Sequence, residues 1–254
     1  MKKQPLSTIK YCYTSIHSPA KTIKKMKKTF TINNFDKHLI IEDNGKTYLI
    51  DTGSPYSIFE GDALEFLGQT CHKSNMMALA AQVMPTDISS LLGMHVDALI
   101  GNDILKHYAI CFDYGQGEIT FSDEGLSLPD AVAIPVDTSF GVPKAKMILL
   151  GDEGLFFLDT GAKTSYVNSA TTSGLTPDET DTDFYPGVGD FETPVFNLDT
   201  TIADKTFRVR YGNLPKLLEF SLIGLSGTKG VIGYDFFNNF KVLIDYRGSQ
   251  LYLA

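Results

Sequence analysis

The chain has 254 residues, 43% hydrophobic and 20% charged, with a formal net charge of −8; this is a globular composition, long enough for one large domain or two that each bury a core. Residues 1–28 carry eight lysines and no acid, which leaves 14 basic against 30 acidic groups in the remainder, a balance that repels nucleic-acid phosphates. No apolar run reaches the ~18 residues of a membrane span and no apolar stretch follows the basic start as in a secretory signal, so neither nucleic acid nor a membrane is an expected partner.

In chain order, residues 1–28 read as a disordered basic tail, with Met26 an alternative start. "KHLIIEDNGKTYLID" reads as two strands around an Asn44-Gly45 hairpin turn. The second strand runs into Asp51-Thr52-Gly53-Ser54, where a carboxylate, a hydroxyl and a glycine stop it. "NDILKHY" reads as a short helical turn near Asp103, a residue type that caps first turns. The polar, Gly- and Pro-containing segment 121–135 is the expected linker. "KAKMILLGDEGLFFLD" repeats the hairpin pattern, turning near Gly151 to Gly154, and ends at Asp159-Thr160-Gly161-Ala162. "YDFFNNF" matches the earlier helical turn, with Asp235 in the place of Asp103, and "KVLIDYRGSQLYL" is a hairpin with Arg247-Gly248 at its tip. Asp113 and Asp245 read as hairpin residues. The cysteines, Cys12, Cys71 and Cys111, are too few and odd in number for a disulfide framework, and a reducing cytoplasm fits them.

The chain is written twice. "LFFLDTGAKTSYV" repeats "YLIDTGSPYSIF" with Asp51 and Asp159 108 residues apart. "ALIGNDILKHYAICFDYGQGEITF" aligns without a gap to "GVIGYDFFNNFKVLIDYRGSQLYL" at an offset of 132, so the second copy holds 24 extra residues between its motifs. Copies of this length are too long for a solenoid and read as two similar lobes, 29–126 and 127–254. A lone Asp-Thr-Gly occurs by chance in about one chain in twenty of this size. Two copies, each after apolar residues and each followed by two aliphatics and Gly-x-Asp, need another explanation.

This combination resembles the pepsin-like and retropepsin-like aspartic proteases over nearly the whole span 29–254. The resemblance implies an all-β fold with short helices: two similar closed β-barrel-like lobes with the site in the cleft between them. It implies a monomer, since one chain supplies both turns. Leu99-Ile100-Gly101 and Val231-Ile232-Gly233 would be the strands passing beside the turns. Thr52 and Thr160 would bond across the pair and lock it, with Gly53, Gly161, Ser54 and Ala162 as further support. Asp51 and Asp159 are then the catalytic residues. Two carboxyls held a few ångströms apart share one proton; the ionised one activates water and the protonated one donates to a peptide carbonyl. The Ser54 hydroxyl is expected to bond Asp51 and make it the base, a bond Ala162 cannot offer Asp159.

No cofactor and no metal is expected: the histidines His17, His38, His72, His95 and His107 lack zinc-ligand spacing and read as surface or structural residues. A peptide or protein is the expected substrate. Hydrolysis by an endopeptidase and non-catalytic peptide binding on the same fold are the two readings. The first copy has a short Met/Ala-rich stretch, 71–93, where a lid would lie; the second has 183–215. The lid is therefore expected from the second lobe, with Tyr185, Gly187 and Gly189 touching substrate; the other reading of 184–192 is a surface loop.

Overall fold

The computed structural model describes residues 25–73, 83–186 and 188–254. The readings for residues 1–24, for segment 74–82 and for Gly187 lie outside the described residues. The chain is mostly β. Its first-half strands are β1 (Lys27–Thr31), β2 (Asn33–Phe35), β3 (His38–Asp43), β4 (Lys46–Ile50), β5 (Ile58–Phe59), β6 (Ala63–Phe66), β7 (Gln69–His72), β8 (Ala98–Ile100), β9 (Ala109–Asp113) and β10 (Glu118–Ser122). The second half holds β11 (Val132–Pro135), β12 (Lys144–Leu149), β13 (Asp152–Leu158), β14 (Ser165–Val167), β15 (Glu179–Tyr185), β16 (Gly189–Ile202), β17 (Lys205–Gly212), β18 (Gly230–Ile232), β19 (Val242–Asp245) and β20 (Gln250–Leu253). Among the described residues four short α-helices interrupt them, α1 (Pro85–Leu92), α2 (Asn102–Leu105), α3 (Lys216–Leu218) and α4 (Tyr234–Asn239), with a 3-10 turn at Ser139–Gly141. A π-helical stretch, Glu219–Gly224, continues α3.

Local chemistry explains the turns. Asn44 and Gly45 both take positive φ, 53° and 75°, as a two-residue hairpin matched to strand twist requires. Leu150 and Gly151 do the same between β12 and β13, at 52° and 81°. Helix α1 falls inside the Met/Ala-rich stretch. Pro85 suits its first turn, Asp87 accepts the Met84 amide at 2.7 Å, and Gly93 ends it at φ 71°. Its Ile88 and Leu92 bury against Ile40, Leu49, Val96 and Leu99.

Three larger sheets result. β12-β13-β18-β14-β17-β16 close into a barrel because β12 also pairs with β16, and β15 extends from it. β2-β3-β4-β8-β5 form the first-half counterpart, beside the β6–β7 hairpin. The third sheet, β1-β10-β9-β19-β20-β11, draws three strands from each half. At its centre Val242, Leu243 and Ile244 lie opposite Phe112, Cys111 and Ile110. These strands bury Ile110, Phe112, Val242 and Ile244 together with Phe236 and Phe237 of α4.

Two expectations about the ends of elements are corrected. The tail expected over 1–28 gives its last residues to the sheet: Lys27 and Lys28 pair with Ser122 and Phe121, and the Met26 amide donates to Asp123 at 3.0 Å. The segment expected as linker contains β11, which pairs with β20.

Candidate active site

The two Asp-Thr-Gly turns are built by the same pairings. β4 lies parallel to β8 with Ile50 opposite Ile100, and the Asp51 amide donates to Ile100 O at 3.0 Å. In the second copy Leu158 lies opposite Ile232, and the Asp159 amide donates to Ile232 O at 2.9 Å. The following glycines are required by backbone approach. A Cβ on Gly101 would stand 2.4 Å from Tyr56 O, and one on Gly233 would stand 2.2 Å from Ala162 O. Both distances are impossible for real atoms, so any side chain here forces the turn away from its strand.

The structure brings the two turns together through their threonines. The Thr52 amide donates to Thr160 Oγ1 at 3.0 Å, and that hydroxyl donates to Ile50 O at 2.7 Å. The Thr160 amide donates to Thr52 Oγ1 at 3.0 Å, and Thr52 Oγ1 donates to Leu158 O at 2.8 Å. Both side chains are fully buried. Every polar group in this lattice is paired, which is the condition for burying it without penalty.

Held this way, each carboxyl lies against the glycine of the opposite turn. A Cβ on Gly53 would lie 2.1 Å from the Asp159 carboxyl carbon, and one on Gly161 would lie 2.6 Å from that of Asp51. Each glycine thus clears space for the opposite aspartate. Asp51 Oδ1 accepts the amides of Gly53 at 2.8 Å and Ser54 at 2.9 Å; Asp159 Oδ1 accepts the Gly161 amide at 2.8 Å. Loss of water in the cleft raises both carboxyls above the usual range. Asp51 is held back by the Ser54 amide, by its bond to Asp159 and by the Gly53 amide. Asp159 is pushed well above the ordinary carboxylate range by burial and then by the Asp51 charge, against the pull of the Gly161 and Ala162 amides.

The carboxyls form the floor of a cleft of about 500 Å³. Ile58 and Leu99 line one side, Phe157 and Val231 the other, and Leu222 and Leu225 of the helical stretch after α3 close one end. Tyr185 and Pro186, at the tip of the β15–β16 hairpin, complete the lining. Burial and the nearby dyad push the Tyr185 phenol up to about 12. Gly189 sits opposite Tyr185 in this hairpin with φ 92°, a conformation that favours glycine. The hairpin reaches across the halves. Phe184 stacks on His38 of β3 at 5.7 Å, and Asp183 is bonded by the Tyr166 hydroxyl. Arg210 grips Glu179 at 2.8 Å and Asp181 at 3.0 Å.

Three expectations need correction or addition. The Ser54 hydroxyl donates to Tyr56 O at 2.7 Å rather than to Asp51; its backbone amide makes that bond instead. Asp103 accepts the Ile104 amide of its own first turn at 3.0 Å, whereas Asp235 makes no such bond among the described residues. Asp103 accepts the Ser57 hydroxyl at 2.6 Å, and Asp235 accepts the Arg210 amide at 2.8 Å. Asn102 and Tyr246 were not singled out by the sequence, yet they join a buried network under Asp51: Tyr246 Oη donates to Asn102 Oδ1 at 2.7 Å. The only trace of this in the sequence is that Asn102 aligns with Tyr234, a position where the two copies differ.

Among the described residues no cluster could hold a metal ion, and no helix is long and apolar enough to cross a membrane. No known family matches the chain in a family scan. Among solved structures the chain is similar to a retropepsin-like aspartic protease from Rickettsia conorii. That match has 18% identity and a TM-score of 0.35, and it covers 48% of this chain and 89% of that one.

Proposed function

We propose that the protein is an aspartic endopeptidase, with Asp51 and Asp159 as its catalytic pair. One observation carries this reading: two buried carboxyls on the floor of a cleft, each set against the glycine of the opposite turn. A peptide lying across them meets a ready division of labour. Ionised Asp51 takes a proton from a water whose oxygen attacks the peptide carbonyl carbon. Protonated Asp159 gives its proton to the carbonyl oxygen. Collapse of the tetrahedral species breaks the C–N bond as the amine nitrogen takes up a proton. Thr52 and Thr160 hold the two turns together, and Gly53 and Gly161 leave room for the pair. Tyr185 covers the peptide with its ring, so that water is excluded while the hydroxyl points a donor at it. A pure peptide-binding role gains nothing from an ionisable pair that costs energy to bury. The reading includes one chain acting alone, without a cofactor, on peptide or protein segments in a reducing, cytoplasmic setting.

The test is incubation with a diverse peptide library and mapping of cleavages, with Asp51→Asn and Asp159→Asn as controls. Cleavage by the natural chain that either substitution lowers by roughly 10²–10⁴-fold supports the reading. Peptides bound but never cut would give the role to a binding module instead.

A further inference from the structure

The two halves repeat each other closely at the catalytic turns, so a place where they differ at the same depth is informative. Asn102 follows Gly101, and Tyr234 follows Gly233. Asn102 is 1% exposed and its amide nitrogen donates to Thr52 O at 2.5 Å and Ser54 O at 3.0 Å. These carbonyls bracket the peptide units whose N–H groups bond Asp51. On the other side the Tyr234 backbone donates to Ala162 O at 2.9 Å, while its side chain turns outward to Asn34 and Asn238. Among the described residues no side chain donates to the carbonyls of Thr160 or Ala162 as Asn102 does to those of Thr52 and Ser54.

A second pair of counterparts sits behind the first. Tyr114 and Tyr246 occupy matching places in the repeated hairpins. Each crosses to the opposite half. Tyr246 donates to Asn102 at 2.7 Å, whereas Tyr114 packs against the core and meets the Tyr234 ring edge to face at 5.7 Å, and its buried hydroxyl has no partner among the described residues. One side of the pseudo-symmetric arrangement carries a continuous polar chain to its aspartate. The other carries an aromatic contact and an idle hydroxyl.

We propose that Tyr246 and Asn102 are positioning residues that make Asp51 the ionised member of the pair, by clamping the turn whose amides face its carboxylate. The mechanism is orientation. The Tyr246 hydroxyl fixes which end of the Asn102 amide points at the turn, and the two amide N–H bonds then fix the Thr52 and Ser54 peptide planes. With those planes fixed, the Gly53 and Ser54 N–H groups stay aimed at Asp51 Oδ1. The ionisable groups facing Asp51 are Asp159 from the opposite turn, Tyr185 from the lid and Tyr246 from the last hairpin, and Tyr166 faces Asp159. Burial holds the three phenols above their ordinary range. Both carboxyls are raised by burial.

This inference rests on the catalytic reading above for its kinetic arm but not for its direct one. The direct arm follows the aspartate carboxyl carbons by ¹³C NMR titration in the full chain and in Tyr246→Phe, with Tyr114→Phe as the matched control. In Tyr246→Phe the lower of the pair's two titration steps moves up while the upper step stays. In Tyr114→Phe neither moves. In the kinetic arm kcat/KM on the acid limb falls by roughly three- to tenfold in Tyr246→Phe with KM unchanged. Asn102→Gln, which keeps both donors on a longer stem, retains part of the natural profile if it reaches the turn, and Asn102→Ala loses all of it. A Tyr246→Phe chain with lowered Tm but natural titration would reduce the pair to packing and overturn the proposal, as would an equal shift in Tyr114→Phe. A chain that titrates as expected but cuts no peptide would leave the positioning intact and overturn the catalytic reading instead.

Discussion

Cys111 lies directly opposite Leu243 at the centre of the shared six-stranded sheet, and the two are each other's counterparts in the repeat. On either side Ile110 faces Ile244 and Phe112 faces Val242, which exchange under the same offset of 132 residues. A pseudo-two-fold axis therefore passes between Cys111 and Leu243. The Thr52–Thr160 lattice obeys the same relation, each threonine giving the other what it receives. The arrangement is that of a two-fold dimer interface joined within one chain, and it carries the two aspartates to one point.

The threonine lattice is the first target. Thr52→Ala removes the partner of the Thr160 amide and of Leu158 O, both buried. Each orphaned group costs about 1–3 kcal/mol, so a loss of roughly 2–5 kcal/mol in chemical denaturation is expected. Thr52→Ser keeps both bonds and should lose only about 1 kcal/mol, for its missing methyl. Equal losses in the two variants would show that the hydroxyl does not hold the turns.

Gly53→Ala tests how closely the pair is set. The added Cβ lies 2.1 Å from the Asp159 carboxyl carbon, so one of them must move by more than an ångström. On the proposed reading a displacement of that size should lower kcat by about 100-fold. Tm should fall less than in Thr52→Ala, because the threonine bonds remain. Natural turnover in Gly53→Ala would be incompatible with the geometry of the pair.

The pH dependence follows from the directions of the two shifts. On the proposed reading activity requires one carboxyl ionised and the other protonated, so it should fail as pH falls through the lower step and as pH rises through the upper one. Both carboxyls stand above the ordinary 3.8 in the folded chain, Asp159 well above it. Between that value and the folded one the native state binds more protons than the unfolded state, so stability falls as pH rises through the window. Asp159→Asn removes this penalty. Its Tm should exceed that of the natural chain at neutral pH and match it near pH 3. A constant difference in Tm at every pH would contradict a raised Asp159.

Tyr185 separates lid function from folding. Its ring lines the cleft at the tip of a hairpin anchored by the Phe184–His38 stack and by Arg210. Tyr185→Ala should lower kcat/KM by about 10- to 100-fold while Tm changes by only a few degrees. Phe184→Ala removes the anchor and should raise KM, with a loss of about 0.5–1.5 kcal/mol beyond the lost burial. Wild-type kinetics in both variants would leave the hairpin as a surface loop.

By itself the sequence determined what is local or repeated. Hairpin turns follow from Asn44-Gly45 and from the residues around Gly151, and the short helices from the segments after Gly101 and Gly233. The pairing of the two turns was legible because Asp-Thr-Gly and its following aliphatic-Gly motif each occur twice. Only the tertiary structure decided where individual side chains find partners. Ser54 turned to Tyr56, Asp103 to Ser57 and Tyr246 to Asn102, the last across 144 residues. A hydroxyl or carboxyl takes the nearest well-aimed partner, and that is set by strands converging from distant parts of the chain. Likewise the closure of six strands into one barrel depends on β12 meeting β16, a contact with no mark in either strand's sequence. Local propensity selects the elements; burial and the pairing of polar groups between remote segments select the site.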